Sequence, residues 1–322
     1  MKRTHTWLAV LLLAQLTLAA GLYWRSVGHV REPAAALLPL PADNIDQIAI
    51  EGKESFVTLQ RLKGEWRLSN PTQLRADQQR VAGVLDKLAA ISTQWPVATT
   101  QSSQQQLEVA DSDFQRHLRL YSDGDLVADF YLGSSPGFRQ VHLRKAGSDA
   151  IYVIKLGVND LPDIPDAWLD QTLLAVAQPT RIEGPDFSLS AIDDAWSLQN
   201  GDLDQGAAVN LASALANLRV QTIVDHTTGS EQENGNVFRL RVETSEAVHD
   251  YRFFNSEGQH CAQRSDIDVV FGVSQYDYDR IAGINREALV AAKATGKEQA
   301  AGGHTELAGS EPQAQDTAAK SE

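Results

Sequence analysis

Cysteine is nearly absent. Cys261 is the only one, which excludes an intrachain disulfide and a cluster of thiolate metal ligands. Acting as a nucleophile would require a base partner that sequence does not locate, so this thiol beside His260 is read as a small half-buried residue. A basic surplus is also missing: 28 Lys and Arg stand against 42 Asp and Glu, for a net charge of −14. That balance argues against binding nucleic acid or an anionic bilayer through a basic face, and it is a common route to solubility. No two of the 8 histidines stand at the i, i+4 spacing of a helical zinc pair. There is no Gly-rich phosphate loop, nucleophile elbow or dinucleotide fingerprint. No cofactor and no metal are therefore expected, and the glycines are left to turns.

Long apolar runs are scarce, with one exception at the N-terminus. Lys2 and Arg3 precede a run from Trp7 to Trp24 that carries no charge. At ~1.5 Å per residue it reaches ~27 Å, close to the hydrocarbon thickness of a bilayer. Trp7 and Tyr23-Trp24 fit interfacial aromatic belts. Cleavage at Ala19-Ala20-Gly21 is the competing reading, but the apolar run continues past that site. Residues 1–25 are therefore expected to form an uncleaved single-pass signal-anchor, with 26–43 as a Pro/Ala-rich stalk. No cysteine directly follows the run, which excludes a lipoprotein. The expected location is the inner (cytoplasmic) membrane, with the bulk of the chain in the periplasm.

What the chain does have is a repeated pattern. Val81, Leu85 and Leu88 follow Trp66 by 15, 19 and 22 residues, and Leu211, Leu215 and Leu218 follow Trp196 by the same distances. Gly157 precedes Leu169 and Leu174 by 12 and 17 residues, and Gly272 precedes Ile284 and Leu289 likewise. Internal repeats decide architecture before local assignments do. Alternating strand patterns and Gly-containing turns precede an amphipathic helix over Ala76 to Ile91, with Asp77 as its N-cap, and Gln205 to Arg219 replays it. The expected fold class is α+β: a tandem duplication of an antiparallel strand group closed by helices, behind the transmembrane helix. The first repeat would span 44–177, the second 178–292, and 293–322 has the composition of a disordered tail. Trp66, Trp196, Gly157 and Gly272 are expected to be structural anchors.

The order of these blocks carries a resemblance. An Ile-x-Ile strand, Trp-x-Leu near Pro71, Ala76-Asp77 and a Val-x-x-Val-Leu-x-x-Leu helix are followed by Ile151-Tyr152-Val153 and Trp168 to Leu174. Together they resemble a bacterial family of unknown function, DUF4340, over roughly residues 44 to 290. The resemblance implies membrane anchoring and a partner among transporter components of the ATP-binding-cassette (ABC) type. It implies no catalytic residues. The second copy departs from the pattern, with Gly206-Ala207 set against Ala76-Asp77.

Residues that could carry chemistry are mostly explained as structure. Asp111 and Asp113, Asp123 and Asp125, Asp193-Asp194, Asp266 and Asp268, and Asp277 and Asp279 form acidic pairs. Most fall in expected turns, where Asp bonds its own backbone, and none continues into a calcium loop. His117 and His142, on neighbouring strands, could meet but lack a third ligand. Tyr276, Asp277, Tyr278, Asp279 and Arg280 form the densest polar-aromatic cluster and the candidate ligand or partner surface. The leading expectation is a non-enzymatic, membrane-tethered extracytoplasmic accessory protein that docks onto a cell-envelope partner and not onto nucleic acid. The alternative is a module that binds a glycan or small ligand in a groove between the repeats. A hydrolase with two carboxylates about 5–10 Å apart is the third reading.

Overall fold

The computed structural model describes residues 12, 14–21, 35–69, 72–193, 195–224 and 237–291. The first sheet is built from β1 (Gln47–Glu51), β2 (Phe56–Leu62), β3 (Glu65–Leu68), β4 (Arg116–Ser122), β5 (Asp125–Leu132), β6 (Val141–Lys145) and β7 (Ile151–Ile154). Ile48 and Ile50, then Val57 and Leu59, then Trp66 and Leu68 are buried at period two, so each strand turns one face to the core. Lys63-Gly64 and Asp123-Gly124 adopt positive φ at both positions, the geometry that two-residue hairpins need. The strand order is β7-β6-β5-β4-β1-β2-β3.

Helix α1 (Gln78–Ala89) buries Val81, Val84, Leu85 and Leu88, and Asp77 caps it by accepting from Arg80 N at 3.0 Å. A short helix, α2 (Gln101–Gln106), follows. The second sheet uses β8 (Arg181–Glu183), β9 (Ser188–Ile192), β10 (Ala195–Leu198), β11 (Val220–Val224), β12 (Phe238–Glu243), β13 (Val248–Ser256), β14 (Gln259–Arg264) and β15 (Val270–Val273). Its order is β10-β9-β8-β12-β13-β14-β15-β11. Helix α3 (Gln205–Ala216) lies between β10 and β11, and α4 (Gln275–Ala282) and α5 (Arg286–Leu289) close the described chain.

One core runs through both sheets, from Leu59 and Leu118 through Trp168 and Leu174 to Tyr251, Phe253 and Leu289. The connector between the sheets is bonded to the second half at several points. Val220 N donates to Gln171 O at 2.9 Å, Val176 N to Leu215 O at 3.1 Å, and Ile223 N to Asp166 Oδ1 at 3.0 Å. Buried Tyr251 donates its hydroxyl to Leu174 O at 2.7 Å.

Several expectations need correction. The fold class is not an α+β tandem of helix-closed strand groups behind a transmembrane helix. Two antiparallel sheets dominate, and no helix among the described residues is long and apolar enough to cross a membrane. Much of the Trp7–Trp24 run lies outside the described residues, as does the tail over 293–322. Part of the expected stalk is packed onto the body: Ala35–Ala36 pairs with Ser92–Thr93, Leu37 N donates to Ile91 O at 2.9 Å, and Leu38 is buried. Pro165–Trp168 forms a single 3-10 turn. The two closing helices, α4 and α5, are short and separated at Gly283.

The glycine and helix registers differ as well. Gly157 sits in a turn beyond β7, its N–H bonded to Asp160 Oδ2 at 2.8 Å, whereas Gly272 lies inside β15. A Cβ at Gly272 would overlap Thr222 Oγ1, so close approach of β11 explains that glycine. Gln78 lies 12 residues after Trp66 and Gln205 nine after Trp196, yet each opens its helix and bonds its tryptophan's backbone. Asp204 is therefore the N-cap counterpart of Asp77, and comparing Gly206-Ala207 with Ala76-Asp77 was out of step by three residues.

Candidate functional site

A cavity of about 870 Å³ opens where the two halves meet. Glu65, Arg67, Thr72, Gln73, Leu74 and Arg75 form one wall, on β3 and the run before α1. The connector supplies a floor through Thr172, Leu173 and Ala175. The opposite wall comes from β13, β14 and the turn after them: His249, Arg264, Asp266, Ile267 and Asp268. An open, mostly polar groove with Leu173 and Ala175 on its floor can receive a polar chain or a small polar ligand.

Each guanidinium in the groove is held in place by an ion pair. Arg67 Nη2 lies 2.9 Å from Glu65 Oε2, and its Nη1 donates to Gln73 O at 3.0 Å. Arg75 Nη2 is 2.6 Å from Asp170 Oδ2. Arg264 grips Asp266 with two parallel bonds, Nε to Oδ1 at 2.6 Å and Nη2 to Oδ2 at 2.9 Å. That fork fixes geometry as well as charge.

The same contacts set the titration of the acids. Burial alone would raise the Asp170 carboxyl, but the Thr172 hydroxyl, the Thr172 N–H and Arg75 bring it below its usual range. Asp266 behaves alike: burial opposes ionisation, and Arg264 overcomes it. Burial pushes the Tyr251 phenol up to about 12. His249 is driven down, first by burial and then by the Arg264 charge. Its side chain is 17% exposed, with Nδ1 buried, lacking a hydrogen-bond partner and 3.8 Å from Asp266 Oδ1.

The cluster singled out by sequence lies on α4. Ser274 caps this helix by accepting from Asp277 N at 3.0 Å, and its hydroxyl bonds Asp277 Oδ2 at 2.8 Å. Arg280 stacks over the exposed Tyr276 ring at 5.2 Å and donates to Asn210 O at 3.1 Å. Tyr278 turns inward, with its ring centroid 4.6 Å from His260 and 6.3 Å from Phe253. Asp279 O accepts from Gly283 N at the helix end. The structure thus gives these five residues packing and capping contacts, and none of them lines the groove between the halves.

The other candidates are dispersed. His117 Nε2 pairs with Asp129 at 2.6 Å and stacks on Tyr131, while His142 Nδ1 lies 2.8 Å from Ser134 O. Asp111 holds the buried Arg144, Asp113 faces Lys53 at 3.7 Å, and Asp123 and Asp125 flank the β4–β5 turn. Among the described residues no group of three or more His, Cys, Asp or Glu could hold a metal ion. Cys261 is buried, and burial raises its thiol. Of the groove residues, the sequence had offered only the Asp266–Asp268 pair. Arg75, His249 and Arg264 stand in no motif, Arg67 and Thr172 fall inside the family-like blocks without being singled out, and folding alone assembles them.

The family described as Domain of unknown function (DUF4340) matches residues 66–236, just over half of the 322-residue chain. The chain belongs to that family. The DUF4340 match opens at Trp66 itself and takes in Arg67, Arg75 and the connector. The second groove wall, with His249, Arg264 and Asp266, lies beyond it. No curated protein and no solved structure matches the chain.

Proposed function

We propose that this chain is a non-catalytic interaction protein that receives its partner in the groove between its halves. The observation that supports this is the groove itself: about 870 Å³, open, and lined by guanidinium–carboxylate pairs already fixed in place. Preformed polar geometry lowers the ordering cost of binding. The earlier expectation of a cell-envelope partner is retained as part of this reading. The alternative surface at Tyr276 to Arg280 is less favoured, because its side chains are engaged in capping and packing.

A photo-crosslinking residue in place of Gln73, which lies in the groove and is exposed, tests the reading in native cells. The expected result is a discrete adduct that disappears when Arg67 and Arg75 are both changed to Glu. The same residue at Tyr276 serves as the competing probe. Adducts from Tyr276 alone would sink the groove reading and revive the α4 surface.

A further inference from the structure

Among the described groove residues, His249 alone keeps a buried side-chain nitrogen, Nδ1, without a hydrogen-bond partner. Asp266 Oδ1 lies 3.8 Å from that nitrogen. The same oxygen accepts from Arg264 Nε at 2.6 Å, while Asp266 Oδ2 accepts from Arg264 Nη2 at 2.9 Å. Two basic side chains therefore border one carboxylate oxygen. Arg264 holds it, and His249 stands about 1 Å beyond the reach of a charge-assisted hydrogen bond.

The backbone beneath this cluster is tied down. Ser265 N donates to Asp250 O at 2.9 Å, Asp250 N to Ser265 Oγ at 3.3 Å, and Ile267 N to Arg264 O at 3.0 Å. A change of partner at Asp266 thus falls to side-chain torsions. The other elements around the ring compete little for it. On β12 it pairs with uncharged Val242, and Arg241 and Glu243 alternate to the opposite face, as Asp250 does on β13. The connector floor is Thr172, Leu173 and Ala175. Across the groove, Arg67 already has Glu65 and Arg75 already has Asp170. Asp268 follows Asp266 on the same wall.

A proton on the ring turns both of its nitrogens into donors. Burial and the Arg264 charge oppose that proton, while Asp266 and Asp250 favour it. Once charged, the ring therefore gains by closing on Asp266. We propose that His249 is an acid-operated switch in the groove: on gaining a proton it takes Asp266 Oδ1 from Arg264 Nε and frees that edge of the guanidinium. At neutral pH the lining is balanced, with Glu65, Asp266 and Asp268 against Arg67, Arg75 and Arg264. The added proton tips it positive. Resting on the reading that a partner enters here, the switch selects in acid for a partner that presents carboxylates.

Nitrogen-15 NMR of the arginine Nε–H groups in the full chain tests the switch with no partner present. Its failure leaves the groove reading standing, and that reading is judged separately by the Gln73 crosslink. Arg264→Lys assigns the Arg264 signal by deleting it. As pH falls from about 7.5 through the ring's own titration, the Arg264 signal should move with the same midpoint as the His249 ring protons. The Arg67 and Arg75 signals should stay in place over that interval. His249→Gln should hold the Arg264 signal still, and Asp266→Asn should shift the His249 midpoint to lower pH. Should circular dichroism show that His249→Gln is unfolded, the wild-type titration and Asp266→Asn remain decisive. An Arg264 signal that stays put while His249 titrates overturns the proposal. So does movement that survives in a folded His249→Gln, or a His249 midpoint that Asp266→Asn leaves unmoved.

Discussion

Trp66→Ala and Trp196→Ala should part company. The spacing in the sequence made the two rings equivalent, yet Trp66 is 4% exposed inside the core and Trp196 is only half-buried on a rim strand. A tryptophan that buries ~200 Å² at ~25 cal/mol/Å² gains about 5 kcal/mol over the exposed state, an upper bound. Truncations of buried aromatics cost about 3–5 kcal/mol. Trp66 also carries the Arg61 guanidinium 4.9 Å above its ring, a contact worth about 0.5–1 kcal/mol near the surface. We therefore expect about 4 kcal/mol for Trp66→Ala, or about 6–8 °C in melting temperature for a chain of this size. Trp196→Ala should cost less, about 2–3 kcal/mol, since part of the residue already meets water. Urea denaturation followed by far-ultraviolet circular dichroism gives both midpoints, and an unchanged slope certifies that the same transition is compared. Equal losses, or a loss below about 1 kcal/mol at Trp66, would refute the packing argument.

Three further outcomes follow from the geometry. Tyr251→Phe strips the buried Leu174 carbonyl of its donor, so the urea midpoint should fall by about 1–3 kcal/mol equivalent; an unshifted midpoint would show that the bond contributes nothing. The folded-state His249 pKa lies below its ordinary 6.5, so protons prefer the unfolded chain. Its contribution is complete above pH 6.5 and lost as pH falls from there through the folded value, whereas Asp170 and Asp266, also depressed, lose theirs only as pH falls through the carboxylate range. Melting temperature should thus decline in two steps with acid, and His249→Gln should remove the upper one; an identical profile for the variant would exclude His249 as its source. Two glycines should respond in opposite senses to alanine. A Cβ at Gly133 would overlap the Leu107 carbonyl and the Glu108 backbone, while at Gly83, within α1, it meets nothing within 4 Å. Thermal melts should show Gly133→Ala destabilised by about 1–3 kcal/mol and Gly83→Ala stabilised by about 0.5–1 kcal/mol.

Local chemistry was legible in the sequence. The Asp77 cap, the apolar stripe of α1 and the Asp123-Gly124 turn follow from single-residue preferences acting over a few positions, and each is found where expected. Strand order was not legible, because β1 finds its second neighbour in β4 some seventy residues away. No periodicity encodes that partnership. The second helix opens at Gln205 as expected, but counting from the tryptophans set Gly206-Ala207 against Ala76-Asp77 because a three-residue difference in loop length shifts the caps while leaving apolar residues in phase at both registers. The Pro/Ala-rich stretch read as a stalk because composition cannot show that Ala35–Ala36 will find Ser92–Thr93. The groove was hidden for a related reason. Its arginines each look like ordinary surface residues until β3, the connector and β14 are brought side by side.

The place of β1 in the middle of its sheet has a kinetic consequence. Its first neighbour, β2, is available at once through a short turn, but Gln47 meets Tyr121 only after α1 and α2 have been made. The second sheet repeats the delay, since Arg181 pairs with Glu243 across α3 and β11. Closing such loops costs entropy before any pairing rewards it. On a chain emerging from the ribosome, β1 to β3 would therefore wait as an open three-stranded meander with one flank of β1 unpaired. That waiting interval is the period in which the chain is most exposed to mispairing, and it ends only when β4 arrives.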